Sequence, residues 1–437
     1  MLSVVSAKQG AGFLVGRLSL ALLAAVLAAA FLARAAAQET ASGRLESVAV
    51  NGSKKFRSEQ IAPVTGLKKG DQVTRDDLQK GANALAACGL FSEVHYKFFS
   101  GVEGVEVQYE VTDAPSVPVL FDNFPWLSDE QMTRAIKASV PLFDGSAPER
   151  GTILDQLSTA LTEQLQARGL TIDVGHELVT LPWNEQRVMR FRGEPGAPVI
   201  ASVEFTDALA KSDRAIADRM EDLVGKPFSR SAVETFEFEQ VRPVYLAHAF
   251  LQVDFRSPVT RIESNKVFVS APIDPGPAFV WSGVTWNGNQ AIASSELTKL
   301  VEVNLGAPAD GMKIQGSWEN VRSSYARLGY LDAALDPVPR LNQATKLASY
   351  DVKISEGPQY HMGNLVLTGL SIEGEKRVRS AWKIPAGAVF DDSVYEQFLD
   401  SGIKQAFVGL PFHYEKIGRF LEKNPADGKI NVMIDFQ

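Results

Sequence analysis

Apolar and polar residues alternate from Tyr350 to Ile354, with Asp351 and Lys353 between Tyr350, Val352 and Ile354. A period of two predicts a half-buried strand. Glu356-Gly357-Pro358 breaks the run, because Gly accepts turn angles and Pro has no ladder donor. Leu365-Val366-Leu367 then opens a second strand, closed by Thr368-Gly369. The same joint occurs upstream, where Val267 to Ile273 leads through Gly276-Pro277 into Val280 to Trp286 and the turn Asn287-Gly288. At each joint one strand closes a module and another opens the next.

Helical spacing fills the interval between the joints. Ile314, Trp318, Val321, Tyr325 and Leu328 step by four, three, four and three, one face of a long helix. Asp310 is placed to cap it, and Gly329 to stop it in a left-handed turn. A shorter helix follows Ser294-Ser295 and carries Leu297, Leu300 and Val301. With Phe279–Trp286 before these helices, and Leu331–Leu335 and Ala348–Ile354 after them, the order is β-α-α-β-β. The helix-stop pair recurs as Gly89-Leu90, Gly169-Leu170, Ala249-Phe250, Gly329-Tyr330 and Gly409-Leu410, at steps of 80 residues. Such self-similarity marks a repeat protein.

The pattern predicts an α+β chain of five tandem β-α-α-β-β modules in an extended array, at 44–115, 116–198, 199–278, 279–359 and 360–437. The first has Val48–Val50, a helix near Ser58–Val64, a second helix capped by Thr74 with Leu78, Ala82 and Leu85 inward, and strands Val94–Phe98 and Val105–Val111. The second is the weakest match, since Pro118 falls inside Val117–Phe121 and the last strand, Arg187–Phe191, is short. The third has Val203–Phe205 and Val253–Phe255 as strands, and Pro243 should kink or interrupt its second helix. The fifth has Leu365–Leu367, a helix near Glu375–Trp382, another ending at Val408, and strands Phe412–Ile417 and Ile430–Phe436. One module buries only a small core, and spacer-free Gly-Pro or Ala-Pro joints bring neighbours together.

Composition adds an address. Lys8 and Arg17 precede an apolar run from Leu18 to Ala33, and Ala35–Ala37 offers a cleavage site, so residues 1–37 read as a signal peptide. The run is shorter than the ~20 residues a relaxed span needs, which favours cleavage over an uncleaved anchor. Either way residues 38–437 leave the cytoplasm. The chain's net charge is −8, and its leader holds three cations and no acid, leaving −11 on the rest. So acidic a chain lacks the basic footprint of a general nucleic-acid binder. With 22% charged and 45% hydrophobic residues the composition is globular. Cys88 is the single cysteine, which excludes an intramolecular disulfide.

Candidate chemistry is sparse. His95, His176, His248, His361 and His413 form no H-x-x-x-H or H-E-x-x-H pattern. Cys88 sits beside a helix stop and reads as a small buried thiol. Gly369–Gly374 is not G-x-S-x-G, and Ser371 falls in a repeated turn. No phosphate loop is present, and no catalytic, metal or cofactor residue is assigned. What remains is backbone. In a three-stranded β-α-α-β-β sheet one hairpin strand lies at an edge, where unpaired N–H and C=O groups can pair with another extended chain. The candidate edges are Val94–Phe98, with Val94, Tyr96 and Phe98; Val253–Arg256, with Val253 and Phe255; and Phe412–Ile417, with Phe412 and Tyr414. The competing reading is that inter-module contacts or charged side chains blunt these edges.

Gly89-Leu90-Phe91 with Val94 after it, the RLGY of Arg327–Tyr330 and the EGP of Glu356–Pro358, set in β-α-α-β-β order, resemble polypeptide-transport-associated (POTRA) domains. They are similar in particular to those of outer-membrane barrel-assembly proteins. The resemblance covers about 44–437 and is clearest in the first, fourth and fifth modules. It implies a non-enzymatic periplasmic scaffold that binds unfolded or extended outer-membrane protein clients by strand addition. A separate β-barrel chain and assembly lipoproteins are the further partners it implies. Family members usually continue into a transmembrane barrel, whereas this sequence stops at Gln437, so a barrel is expected on another chain. Two alternatives stand beside this reading: an adaptor in division or secretion, held at the inner membrane by Leu18–Ala33, and a hydrolase using the acids and histidines.

Overall fold

The computed structural model describes residues 43–102, 104–409 and 414–437. The expected leader and Phe412 lie outside the described residues. The chain forms two compact bodies. Of the described residues, one takes those up to Val199 with Lys226–Ser231 and Arg261–Val267; the other takes those of Ile200–Gly225, Ala232–Thr260 and Phe268–Gln437.

The first sheet is built from β1 (Gly43–Asn51), β2 (Gln72–Val73), β3 (Phe91–Ser100) and β4 (Val105–Asp113), in the order β2-β1-β4-β3. β1 runs parallel to β4, and β3 antiparallel to it. Period-two patterning decides which face packs: Val105, Val107, Tyr109 and Val111 of β4 are buried, while Glu106 and Glu110 face out. The helices α1 (Ser58–Ile61) and α2 (Arg75–Ala87) lie between β1 and β3 in the chain. Thr74 caps α2 by accepting from the Asp77 amide, and the Asp77 carboxylate accepts from the Thr74 amide at 2.9 Å. Leu78, Gly81, Ala82 and Leu85 of α2 are buried, and the Tyr109 hydroxyl donates to the Leu78 carbonyl at 2.8 Å.

The second sheet holds β5 (Ser116–Phe121), β6 (Ser146–Pro148), β7 (Asp173–Thr180) and β8 (Arg187–Glu194), ordered β6-β5-β8-β7, with helices α3 (Asp129–Ser139) and α4 (Ile153–Gln166). Pro118 is accommodated because β5 pairs with β8 only from Val119 onward. The first two sheets and their helices meet backbone to backbone. Gly89 and Gly151 both have positive φ, 87° and 131°. A Cβ on Gly89 would lie 1.9 Å from the Arg150 carbonyl oxygen, and one on Gly151 would lie 2.3 Å from that of Cys88. The Thr152 amide donates to the Ala87 carbonyl at 2.9 Å, so a free donor before α4 satisfies a free acceptor at the end of α2.

The third sheet is ordered β11-β12-β9, from β9 (Ile200–Phe205), β11 (Val259–Glu263) and β12 (Lys266–Ala271). β10 (Asp254–Phe255) and β13 (Ile273–Asp274) pair separately as two residues against two. This corrects the expectation that Val253–Phe255 is the edge strand. Pro258 interrupts the chain, and Ser264-Asn265, both with left-handed φ of 50° and 58°, make the turn that joins β11 to β12. The helix carrying Pro243 is interrupted as expected. A π-turn at Glu237–Val241 leads into α5 (Arg242–Ala247), with Pro243 in its first turn.

The fourth sheet is ordered β14-β16-β15, from β14 (Val280–Asn287), β15 (Ala334–Asn342) and β16 (Leu347–Ser355), with helices α6 (Ser294–Lys299) and α7 (Gly311–Arg327). β15 begins near Leu335, where the sequence reading ended a strand, and continues through Pro337 and Pro339. Ile314, Trp318, Val321 and Tyr325 of α7 are buried as the spacing predicts, whereas Leu328, the fifth position of that face, is the exposed C-cap. The fifth sheet is ordered β17-β19-β18, from β17 (His361–Thr368), β18 (Ile417–Asn424) and β19 (Lys429–Phe436), with α8 (Ile372–Ala381) and α9 (Asp392–Gln397). Here the described edge strand is Ile417–Asn424, and Tyr414–Lys416 of the expected strand lie outside it. Tyr414 precedes it and packs its ring on Phe407 and Phe436, at 5.4 and 5.6 Å. The joint between the last two sheets is again a backbone contact, with the Tyr360 amide donating to the Gly329 carbonyl at 2.8 Å. Among the described residues no helix is long and apolar enough to cross a membrane.

Candidate polypeptide-binding edges

Each of the five larger sheets exposes one hairpin strand at an edge: β3, β7, β11, β15 and β18. The opposite side is partly covered. β2 lies on β1 and β6 on β5, and single bridges do the same at Val199 with Pro227, Val280 with Pro308, and His361 with Val389. The hairpin side is therefore the one open to an added strand.

Hydrogen-bond parity decides which residues offer their backbone there. In an antiparallel pair, hydrogen-bonded and non-hydrogen-bonded positions alternate, and the latter turn their N–H and C=O away from the partner. Gly101 and Gly104 exchange both bonds, at 2.9 and 3.3 Å. Counting back along the β3–β4 register leaves Val94, Tyr96, Phe98 and Ser100 facing the open edge. Val94, Tyr96 and Phe98 also turn half-buried side chains toward α2, so they shape both the backbone and the wall of this edge. On β18, Lys416 and Gln437 exchange bonds at 2.9 and 3.1 Å, which leaves Ile417, Arg419, Leu421 and Lys423 facing out. On β7 the Val174 amide already donates to the Thr162 hydroxyl at 2.9 Å, and His176, Leu178 and Thr180 share its parity.

β15 is different. Pro337 and Pro339 have no N–H, so they occupy the parity that faces away from β16. Of the outward positions Leu335, Pro337, Pro339 and Leu341, the two central ones cannot donate. A strand added here would meet two pyrrolidine rings where its carbonyls need donors, and this edge is closed.

The residues singled out from the sequence thus fare unequally. Val94, Tyr96 and Phe98 stand together on an open edge. Val253 precedes β10, and Phe255 is paired in the separate two-stranded β10–β13 sheet with its ring 6.4 Å from Tyr245, so neither lines the edge of the third main sheet. Tyr414 is committed to the fifth core, and Phe412 lies outside the described residues. Sequence reasoning missed β7 and β18. It also missed an exposed apolar row across the outer face of the fifth sheet, where Val366, Met433 and Phe420 are register neighbours.

Side-chain chemistry elsewhere is structural. The Asp122 carboxylate is fully buried and accepts from the Ser229 hydroxyl at 2.9 Å, and from the Ser231 amide and hydroxyl, each at 2.8 Å. The Ser158 hydroxyl lies 3.1 Å from His176 Nδ1, between α4 and β7, where the His ring also packs on Phe191. Burial pushes the Cys88 thiol up, away from the reactive thiolate. Among the described residues no three His, Cys, Asp or Glu side chains group to hold a metal ion.

Comparison with known proteins follows this geometry. Residues 43–114 and 279–357 match the POTRA family model, described as surface antigen variable number repeat. These stretches hold the first and fourth sheets with their helices. Among curated proteins the chain is similar to a putative outer membrane protein assembly factor of Treponema pallidum, with 25% identity over 169 residues, 36% of this chain and 20% of that protein. It is also similar to the outer membrane protein assembly factor BamA of Neisseria meningitidis, with 21% identity over 369 residues, 80% of this chain and 45% of that protein. The chain therefore spans less than half the length of either relative. Among solved structures, POTRA domains 3–5 of Haemophilus influenzae BamA align at a TM-score of 0.40 and 16% identity, covering 55% of this chain and 96% of theirs.

Proposed function

We propose that this chain is a non-enzymatic periplasmic scaffold in outer-membrane protein assembly, and that it binds extended polypeptide clients by adding them to its open sheet edges. The observation that carries the reading is β3, a ten-residue edge strand without proline, whose outward backbone groups belong to Val94, Tyr96, Phe98 and Ser100. The names of the two relatives support the assembly role. In this reading each larger sheet with its helices is one POTRA module, with boundaries near 115, 198, 278 and 359, and residues 1–37 direct export. Clients are unfolded outer-membrane proteins, and a β-barrel and assembly lipoproteins are the working partners.

Strand addition depends on amides more than on side chains, which sets the test. Val94→Ala keeps the outward N–H, and Val94→Pro removes it without touching the β3–β4 ladder. Binding of unfolded barrel peptides should change about twofold or less in the first and about tenfold in the second, one hydrogen bond and a steric block being worth ~1.4 kcal/mol or more. Circular dichroism and melting first establish that each variant is folded. If a folded chain with Val94→Pro, His176→Pro and Leu421→Pro together captures these peptides as wild type does, strand addition at β3, β7 and β18 is wrong.

A further inference from the structure

Two of the open edges end on one cleft. A cavity of about 740 Å³ lies between the first two sheets and their helices, and its walls include Ala86, Phe91, Ser92, Pro115, Arg150 and Leu178. Phe91 and Ser92 begin β3, and Leu178 is one of the outward-facing positions of β7. The floor is kept low by the glycine contact, since a Cβ at Gly89 or Gly151 would collide with the facing backbone. The cleft is thus continuous with β3 at one side and β7 at the other, all within one compact body.

We propose that a single extended polypeptide follows this path, pairing with β3, crossing the cleft and pairing with β7. The proposal rests on strand addition as argued above and specifies its occupant. The outward groups from Val94 to Phe98 and from His176 to Thr180 each engage about five residues, and a cleft of about 740 Å³, equal to a cube roughly 9 Å on a side, takes about three more at ~3.3 Å each. The client segment is therefore about 13 residues long. Its side chains alternate, because every second one falls on the inner face beside Val94, Tyr96, Phe98 and Leu178 while the others point to solvent. Proline is excluded from it, and the small residues of the cleft wall leave room for one apolar side chain at the crossing.

The probe is a 15-residue peptide alternating Val or Tyr with Thr or Lys, compared with a six-residue peptide of the same pattern, on the full chain by fluorescence anisotropy and calorimetry. If one path joins the edges, the long peptide binds one per chain and about 100-fold tighter than the short one, the gain linked sites provide. Val94→Pro, His176→Pro or the exposed-site change Ala86→Trp, which fills the cleft without touching a ladder, each brings the long peptide down to the affinity of the short one. Ala86→Trp leaves short-peptide binding unchanged. Two long peptides per chain, with affinity at the β7 edge indifferent to Val94→Pro and to Ala86→Trp, would overturn the shared path and leave strand addition standing. Wild-type binding of both peptides by a folded Val94→Pro/His176→Pro chain would overturn strand addition at these edges, and the path with it.

Discussion

Replacing Trp318 by Ala tests whether the sheet-and-helix units are held by their own cores. Trp318 is 5% exposed on α7, with its ring 5.9 Å from that of Trp286 and 5.5 Å from that of Tyr350. Burying an indole removes roughly 200 Å² from water, worth ~5 kcal/mol at ~25 cal/mol/Å². Alanine recovers about 1 kcal/mol of that, and a compact unfolded chain lowers the figure further. The two ring contacts add back about 0.5–1.5 kcal/mol each. Cavity relaxation then sets the net loss at about 3–5 kcal/mol. A chain of several cores need not unfold in one step, so the readout should be local. Native-state hydrogen exchange at Val352 and Ile354 of β16 should quicken by roughly 100- to 1,000-fold or more. Exchange at Val107 and Tyr109 of β4, in the other compact body, should not change. Wild-type protection at β16 would show that this helix face does not hold the fourth sheet.

Three further outcomes are expected. Pro337→Val with Pro339→Val restores two outward donors on β15 and should open a closed edge, seen as new capture of the six-residue peptide or concentration-dependent dimers in sedimentation; neither would mean the prolines are not the block. Gly89→Ala, at φ 87° and with its Cβ 1.9 Å from a carbonyl oxygen, should cost roughly 2 kcal/mol or more and speed proteolysis near Arg150, a rate that wild-type behaviour would contradict. Glu237 is 2% exposed, and burial, with the Glu234 charge adding, pushes it up to about 8 from an ordinary 4.5. The folded state then holds a proton that the unfolded chain has released, so stability falls as pH rises from about 4.5 to about 8. Glu237→Gln should raise the melting temperature at pH 9 and not at pH 4, and an unchanged pH slope would refute the burial argument.

Much of the architecture was legible because it is written in periods. The helix face Ile314, Trp318, Val321 and Tyr325 is buried as spaced, and the β16 alternation of Val352 and Ile354 is the inner face of a central strand. Central strands touch neighbours on both sides and a helix layer on one face, so burial stamps a clean pattern on them. Edge strands carry no such stamp. β18 reads Ile-Gly-Arg-Phe-Leu-Glu-Lys-Asn, with Gly418 the last half-buried position before a fully exposed run. The apolar pair Phe412 and Tyr414 alternates more cleanly and points upstream of β18. In the third sheet the short run before Pro258 was likewise preferred to Val259–Glu263, whose burial is only partial. The π-turn at Glu237–Val241 had a visible cause in Pro243; the one at Phe398–Gly402 has no proline to announce it.

The candidate site was less legible still, for a reason that lies in hydrogen-bond parity. Which amides of an edge strand are free depends on the pairing at its turn, and pairing is not a property of one segment. Val94, Tyr96 and Phe98 could be named in advance only because their alternation was visible, and on this edge the residues facing the core are also those whose backbone faces out. The same coincidence runs through β7, β15 and β18. It explains why the sequence pattern ends a strand at Leu335, where β15 continues through Pro337 and Pro339. Prolines two residues apart would remove two donors from one ladder of a central strand, but at an edge both rings share the outward parity and cost nothing in pairing. A pattern that forbids a strand in the middle of a sheet therefore makes a strand at its rim that accepts no partner. If clients bind by strand addition, the edges they use are set by where proline falls on that parity as much as by any side chain that touches them.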